Sequence, residues 1–141
     1  MKYHIEKKSV QETLVIPLYG RKLCTELFPN LFQDSKAVEL IDNLDYDFSE
    51  LEKQSKSMAH RFGALEVAMR ETDLIYELKD FLEKHLKATL VNLGCGLDQT
   101  CENADNGQCK IVNFERSVRA GTVPFACKAR RRFYEDADRK T

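Results

Sequence analysis

No run of eighteen apolar residues occurs in this 141-residue chain, so nothing in it reads as a membrane-spanning helix. The first residues, Met1-Lys2-Tyr3-His4-Ile5-Glu6-Lys7-Lys8, lack both an apolar core and a small-residue cleavage site. They therefore read against a secretory leader, and a cytoplasmic location is the expectation. Cysteine occurs five times but never as C-x-x-C. Cys95, Cys101 and Cys109 would make a zinc site of unusual spacing with no histidine nearby, so all five, with Cys24 and Cys127, are expected to be thiols in a reducing compartment. At this length one domain is expected, and the 43% apolar content is ordinary for a globular protein.

The net charge of −1 conceals an imbalance. From Arg116 onward eight basic residues face three acidic ones, giving +5 and leaving −6 on residues 1–115. A shift this sharp marks a boundary. Arg130-Arg131-Arg132 lies in the basic part, but no aromatic platform or folded motif surrounds it. It reads as a solvated or disordered tail, and no nucleic-acid partner is expected.

The chain is organised around Ala88 to Glu115. A short apolar run (Leu90, Val91, Leu93) stops at Gly94-Cys95-Gly96, the pattern of a buried parallel strand entering a tight turn. Glycine at both positions permits positive φ and leaves room for a ligand where a Cβ would stand. A second apolar run (Ile111, Val112, Phe114) ends in Glu115, nineteen residues past Gly96. A glycine turn after one strand and an acid at the end of the next is an arrangement that holds an adenosine group, with the carboxylate accepting from the ribose hydroxyls. Gln99 stands where a dinucleotide fingerprint needs its third glycine, and no Gly-Lys-Ser/Thr is present to cradle phosphates. The expected ligand is an adenosine compound without phosphates, of which S-adenosylmethionine is the common one. Cys95 reads as a small loop residue, since no histidine stands near it to make it a nucleophile.

Upstream, residues 1–12 read as polar and irregular. Thr13 to Arg21 holds a short apolar run that Pro17 interrupts, so it reads as an extended segment leading into a helix from about Arg21 to Phe28. Asp34 or Ser35 caps a helix whose stripe is Ala37, Val38, Leu40, Ile41 and Leu44. Residues 43–47 read as a polar break, and Ser49 with Glu52 fits a capping box opening a short helix near Glu50. One helix is expected over 57–70 despite Gly63, and a second from Thr72 or Asp73 with Leu74, Leu78, Phe81, Leu82 and Leu86 on one face. His60 and His85 fall in these helices and read as surface or packing residues. Asn106-Gly107 signals a turn before the second strand. Beyond Glu115 neither period appears.

Three stretches together resemble a known family. They are Ile16–Arg21 with Asp34–Phe48, A-M-R-E-T-D-L-I at Ala68–Ile75, and V-N-L-G-C-G-L-D at Val91–Asp98 with the strand ending in Glu115. Residues 13–115, about seven-tenths of the chain, are similar to the N-terminal half of the leucine carboxyl methyltransferase family, and most of all to its tetracenomycin polyketide-type O-methyltransferase branch. The resemblance implies an α/β class I methyltransferase fold: an N-terminal helical lid (1–86), the first βαβ of a Rossmann-like sheet (87–115), and a basic tail (116–141). It implies S-adenosylmethionine as cofactor and a small-molecule or carboxylate methyl acceptor.

By the same resemblance Gly94 and Gly96 lie under the methionine part of the cofactor, with Asn92 and Cys95 in the same motif. Asp98 shapes the loop or touches the cofactor. Glu115 binds the ribose, where the family more often has Asp, and Arg70 pairs with the cofactor carboxylate. Tyr19 and Arg21 belong to the lid near substrate and cofactor. Each has a plainer alternative: Arg70 as an exposed helix arginine, Glu115 as a strand end, Tyr19 as core packing. Arg116-Ser117-Val118-Arg119 departs from the proline-containing turn usual in the family. On this reading the sheet is truncated and the tail is foreign sequence, such as a frameshifted or misread end. The competing reading of the whole is a non-catalytic remnant or a helical interaction module built on 13–86.

Overall fold

The computed structural model describes residues 2–114; Glu115 and the basic tail lie outside them. The chain divides into two compact units, one spanning Met1–Leu74 and a second beginning at Ile75.

In the first unit, α1 (Glu12–Leu27) packs against α2 (Ser35–Asn43). The extended segment expected over 13–21 is helical instead, with Pro17 inside α1. Proline removes one helical N–H, yet Val15, Leu18, Tyr19, Arg21 and Cys24 bury one face of the helix. That burial outweighs both the lost bond and the β-branched residues. Asp34 caps α2, its Oδ1 accepting from the Ala37 amide at 2.8 Å, and Ala37, Leu40 and Ile41 face inward.

Residues read as irregular or as a polar break form a small parallel ladder. β1 (Tyr3–His4) pairs with β2 (Leu44–Asp45), Tyr3 opposite Leu44. α3 (Ser49–Gln54) begins without the expected capping box. The Ser49 amide donates instead to Asp47 Oδ1 at 3.1 Å, so the acid two residues back replaces the serine as acceptor. The two helices expected over 57–86 are one, α4 (Met58–Lys84). Thr72 opens nothing: its hydroxyl bonds back to the Ala68 carbonyl at 3.0 Å, a bond compatible with an unbroken helix. Ala64 and Ala68 of α4 are buried in the first unit.

The second unit holds the end of α4 and a parallel βαβ: β3 (Thr89–Leu93), α5 (Thr100–Ala104) and β4 (Lys110–Phe114). The strands pair in register from Thr89 opposite Lys110 to Leu93 opposite Phe114. Leu82, Leu90 and Cys101 form the buried centre, with Leu78, Ala88, Cys109 and Ile111 around it. The expected turn at Asn106-Gly107 is present. Gly107 has φ +77°, and Asn106 Oδ1 accepts from the amides of Gln108 and Cys109 at 2.9 and 2.8 Å. Side chains alternate across the sheet, so one face meets α4 and α5 while the other presents Val91, Leu93 and Phe114, all exposed. Together the two units make a mixed α/β chain whose sheets are small and parallel.

Candidate functional site

The loop after β3 is built by backbone geometry first. Gly94 and Gly96 adopt φ of +67° and +53°, the left-handed region where a side chain is strained. The Gly94 and Cys95 amides both donate to the Phe114 carbonyl, at 2.7 and 3.2 Å. The loop is thereby tied to the end of β4, one residue before Glu115. The Asp98 amide donates to the Cys95 carbonyl at 3.0 Å and closes the turn.

Side chains then brace it. Asp98 Oδ1 accepts from Asn92 Nδ2 at 3.1 Å and from the Thr100 amide at 3.2 Å. One carboxylate thus links the strand before the glycines to the helix after them, and its negative charge sits at the start of α5. Cys95 and Leu97 point inward and are buried. A Cβ at Gly94 would meet nothing within 4 Å among the described residues, which leave the space above that glycine open. In the next register pair, Asn113 Nδ2 donates to Glu102 Oε1 at 2.7 Å, while its Oδ1 is buried and finds no hydrogen-bond partner among the described residues. Burial pushes the Cys101 thiol up to about 11, helped by the nearby Glu102 and Asp98 charges. The Cys109 thiol is raised too, first by burial. Among the described residues no group of three His, Cys, Asp or Glu side chains is placed to hold a metal ion.

Gly94, Cys95, Gly96 and Asp98 therefore come together in one loop of the second unit, with Asn92 on β3 bonded to it. The remaining candidates within the described residues lie in the first unit, and Glu115 lies outside them. Arg70 is exposed on α4 and makes no ion pair with any described residue. Tyr19 is 9% exposed and stacks on Phe48 with centroids 5.8 Å apart, the Lys22 ammonium 5.7 Å from its ring centre. Arg21 is 4% exposed, its Nη1 3.2 Å from Asp34 Oδ2 and 3.1 Å from Glu71 Oε2. It joins α1 to the cap of α2 and to α4, with two carboxylates about one guanidinium.

Asp34 and Glu71 were not singled out in this role by the sequence, although one signal was there. Glu71 stands in helical phase with Ala64 and Ala68, on the buried stripe of α4. An acid on an apolar stripe needs a buried cation, and Arg21 supplies it.

Over 101 residues the chain is 32% identical to the tetracenomycin polyketide synthesis O-methyltransferase TcmP of Streptomyces glaucescens. The match covers 72% of this chain and 35% of that enzyme, so the chain spans about a third of its relative's length. No family model matches the chain, and no solved structure does. Over most of its own length, then, the chain is similar to a methyltransferase.

Proposed function

We propose that this chain carries the cofactor-binding start of an S-adenosylmethionine-dependent methyltransferase of the leucine carboxyl methyltransferase type, acting on an oxygen or carboxylate of a small molecule. The observation that carries the reading is the loop at the carboxyl end of β3. Two glycines with positive φ, open space above Gly94, and an Asp98 brace sit in a parallel βαβ. Ligands of open α/β sheets bind at the carboxyl ends of the strands. The likeness to an O-methyltransferase supports it independently.

The residues present fit such a cofactor. Gly94 offers backbone without a side chain in the way, and no P-loop lysine is present to call for phosphates. When bound, S-adenosylmethionine supplies a methyl group activated by the sulfonium. The chain's own residues bind and orient. Gly94 and Gly96 let the ligand lie against the loop, and Asp98 and Asn92 hold that loop rigid. Glu115, next after β4 in sequence, accepts from the ribose hydroxyls. Arg70, with its guanidinium uncommitted among the described residues, grips a carboxylate in bidentate fashion. Positioning and exclusion of water are the catalytic contributions expected of such a site. A carboxylate acceptor needs no general base, whereas a phenol calls for one.

Isothermal titration of the 141-residue chain with S-adenosylhomocysteine tests the reading. Stoichiometric binding that Arg70→Ala weakens is expected. Absence of binding by a folded chain contradicts it. A second reading, a non-catalytic remnant or interaction module, has its own observation in the bare apolar sheet face of Val91, Leu93 and Phe114. A folded chain that fails to bind but associates through that face would favour it.

A further inference from the structure

α4 is apolar on more than the side it buries. Ala64, Ala68 and Glu71, spaced four and three residues apart, are buried in the helical unit. A second series, Met58, Phe62, Leu65, Met69 and Thr72, repeats at steps of four, three, four and three. It runs along the helix roughly a third of a turn away from the buried series. Met58 is 79% and Phe62 67% exposed, Leu65 and Met69 are half-buried, and Thr72 is exposed. The Thr72 hydroxyl already donates to the Ala68 carbonyl at 3.0 Å, so covering it strands no donor. A contiguous exposed apolar stripe of this kind marks an interaction surface.

Its steps average about 3.5 residues, the period of a coiled-coil seam. Phe62 and Met69 take one core position of the heptad, and Met58, Leu65 and Thr72 take the other. The flanking residues say which helix fits that seam. Arg61 and Ala68 border one edge, and Ala59, Glu66 and Asp73 border the other. In a parallel, in-register pair each residue of the first edge meets the residue five positions on in the partner helix. Arg61 of each copy then meets Glu66 of the other, and Ala68 meets Asp73 without conflict.

Arg61 and Glu66 cannot pair so within one chain, because residues five apart lie on different faces of a helix. Both are exposed, and neither makes an ion pair among the described residues. Arg61 Nε donates to the Ser55 carbonyl at 3.2 Å. An antiparallel pair would instead set the two edges bearing Glu66 and Asp73 against each other, with like charges facing. A lipid surface favours Lys and Arg beside an apolar stripe and would meet the same two acids.

We infer that this face of α4 receives a second copy of the chain. The two helices pair in parallel through Met58, Phe62, Leu65 and Met69, and reciprocal Arg61–Glu66 ion pairs set their register. The stripe lies within the first unit and stands apart from the cofactor reading. A seam of two heptads is small, so the dimer is a weak one.

The test is sedimentation velocity of the full chain over about 5–500 µM, with a dissociation constant on the order of 10–100 µM expected. Phe62→Gln, which keeps a good helix former in place, should weaken association at least about tenfold. Arg61→Glu and Glu66→Arg, each alone, should weaken it about three- to tenfold, since each places like charges across the seam twice. An equimolar mixture of these two variants should associate as the parent does, because every facing pair is then opposite in charge. Leu93→Ser, which removes apolar surface from the bare sheet face, should leave association unchanged. Helical circular dichroism of each variant should match the parent. A parent that stays monomeric throughout the range, a dimer indifferent to Phe62→Gln, a dimer lost in Leu93→Ser, or single charge variants that the mixture does not rescue overturns the inference. Phe62→Gln should bind S-adenosylhomocysteine as the parent does, so failure of this surface and failure of the cofactor reading give different results.

Discussion

Arg21 Nη1 lies 3.1 Å from Glu71 Oε2, two opposite charges brought together across fifty residues of sequence and almost wholly excluded from solvent. Asp34 completes the group from the cap of α2. Removing the guanidinium takes its charge away from two buried carboxylates. Arg21→Met should therefore lower unfolding free energy by about 3–5 kcal/mol, measured by urea denaturation. The double change Arg21→Met with Glu71→Met should recover part of that loss, since one buried charge is gone and apolar volume replaces it. If Arg21→Met folds as stably as the parent, the ion group is not a structural clamp.

Two glycines with open space around an added Cβ should respond in opposite directions. Gly63 lies mid-helix at ordinary φ, so Gly63→Ala should stabilise the chain by about 0.5–1 kcal/mol. Gly94 has φ +67°, so Gly94→Ala should destabilise it by about 1–2 kcal/mol through backbone strain alone. Denaturation midpoints of the two variants check the sign. A neutral Gly94→Ala would mean that the loop does not hold that conformation.

The contrast between these glycines also shows which parts of the chain were legible. Positive φ at Gly94 and Gly96 is a local requirement, and a local pattern announces it. Two short apolar runs announced the two strands, and the register, with Leu90 opposite Ile111, came from the structure. The helical state of Thr13 to Arg21 was hidden because it is set by burial of Val15, Leu18 and Tyr19 against partners distant in sequence, against the local preference of β-branched residues and Pro17. The continuity of α4 was hidden likewise: Thr72 has the chemistry of a cap and uses its hydroxyl inside the helix. The two-residue ladder of β1 and β2 is too short to leave a period. The partners of Arg21 required knowing which face of α4 turns inward.

Asp98 should matter to both loop and ligand. Asp98→Ala deletes the acceptor for Asn92 Nδ2 and the Thr100 amide and should cost about 1–3 kcal/mol. On the proposed function it should also weaken S-adenosylhomocysteine binding, with Asn92→Ala having a smaller effect in the same direction. Titration of both variants at a temperature where each is folded separates the two consequences. Unchanged affinity in Asp98→Ala would argue that loop bracing is irrelevant to the site.

Alkaline pH should destabilise the chain in a defined window. Cys101 holds its proton up to about 11 when folded, above its ordinary value of 9.0, so the unfolded chain loses that proton first. The contribution is intact below pH 9 and declines as pH rises toward 11. Tyr46, whose hydroxyl donates to Glu12 Oε1 at 2.6 Å, is pushed up to about 12 and adds a loss between pH 10 and 12 in the same sense. Urea midpoints from pH 8 to 11 should fall, and Cys101→Ala should flatten the slope between 9 and 11. A slope unaffected by Cys101→Ala would locate the alkaline sensitivity elsewhere.

The central claim is that the loop of Gly94, Cys95 and Gly96 receives the cofactor, and amide-resolved NMR of the 15N-labelled chain during addition of S-adenosylhomocysteine tests it most directly. Saturable shifts are expected at Gly94, Cys95, Gly96 and Asp98, with Gly107, the glycine of the turn before β4, as a silent internal control. Spectra of a folded chain that do not change, or shifts that leave those four amides untouched, would contradict it.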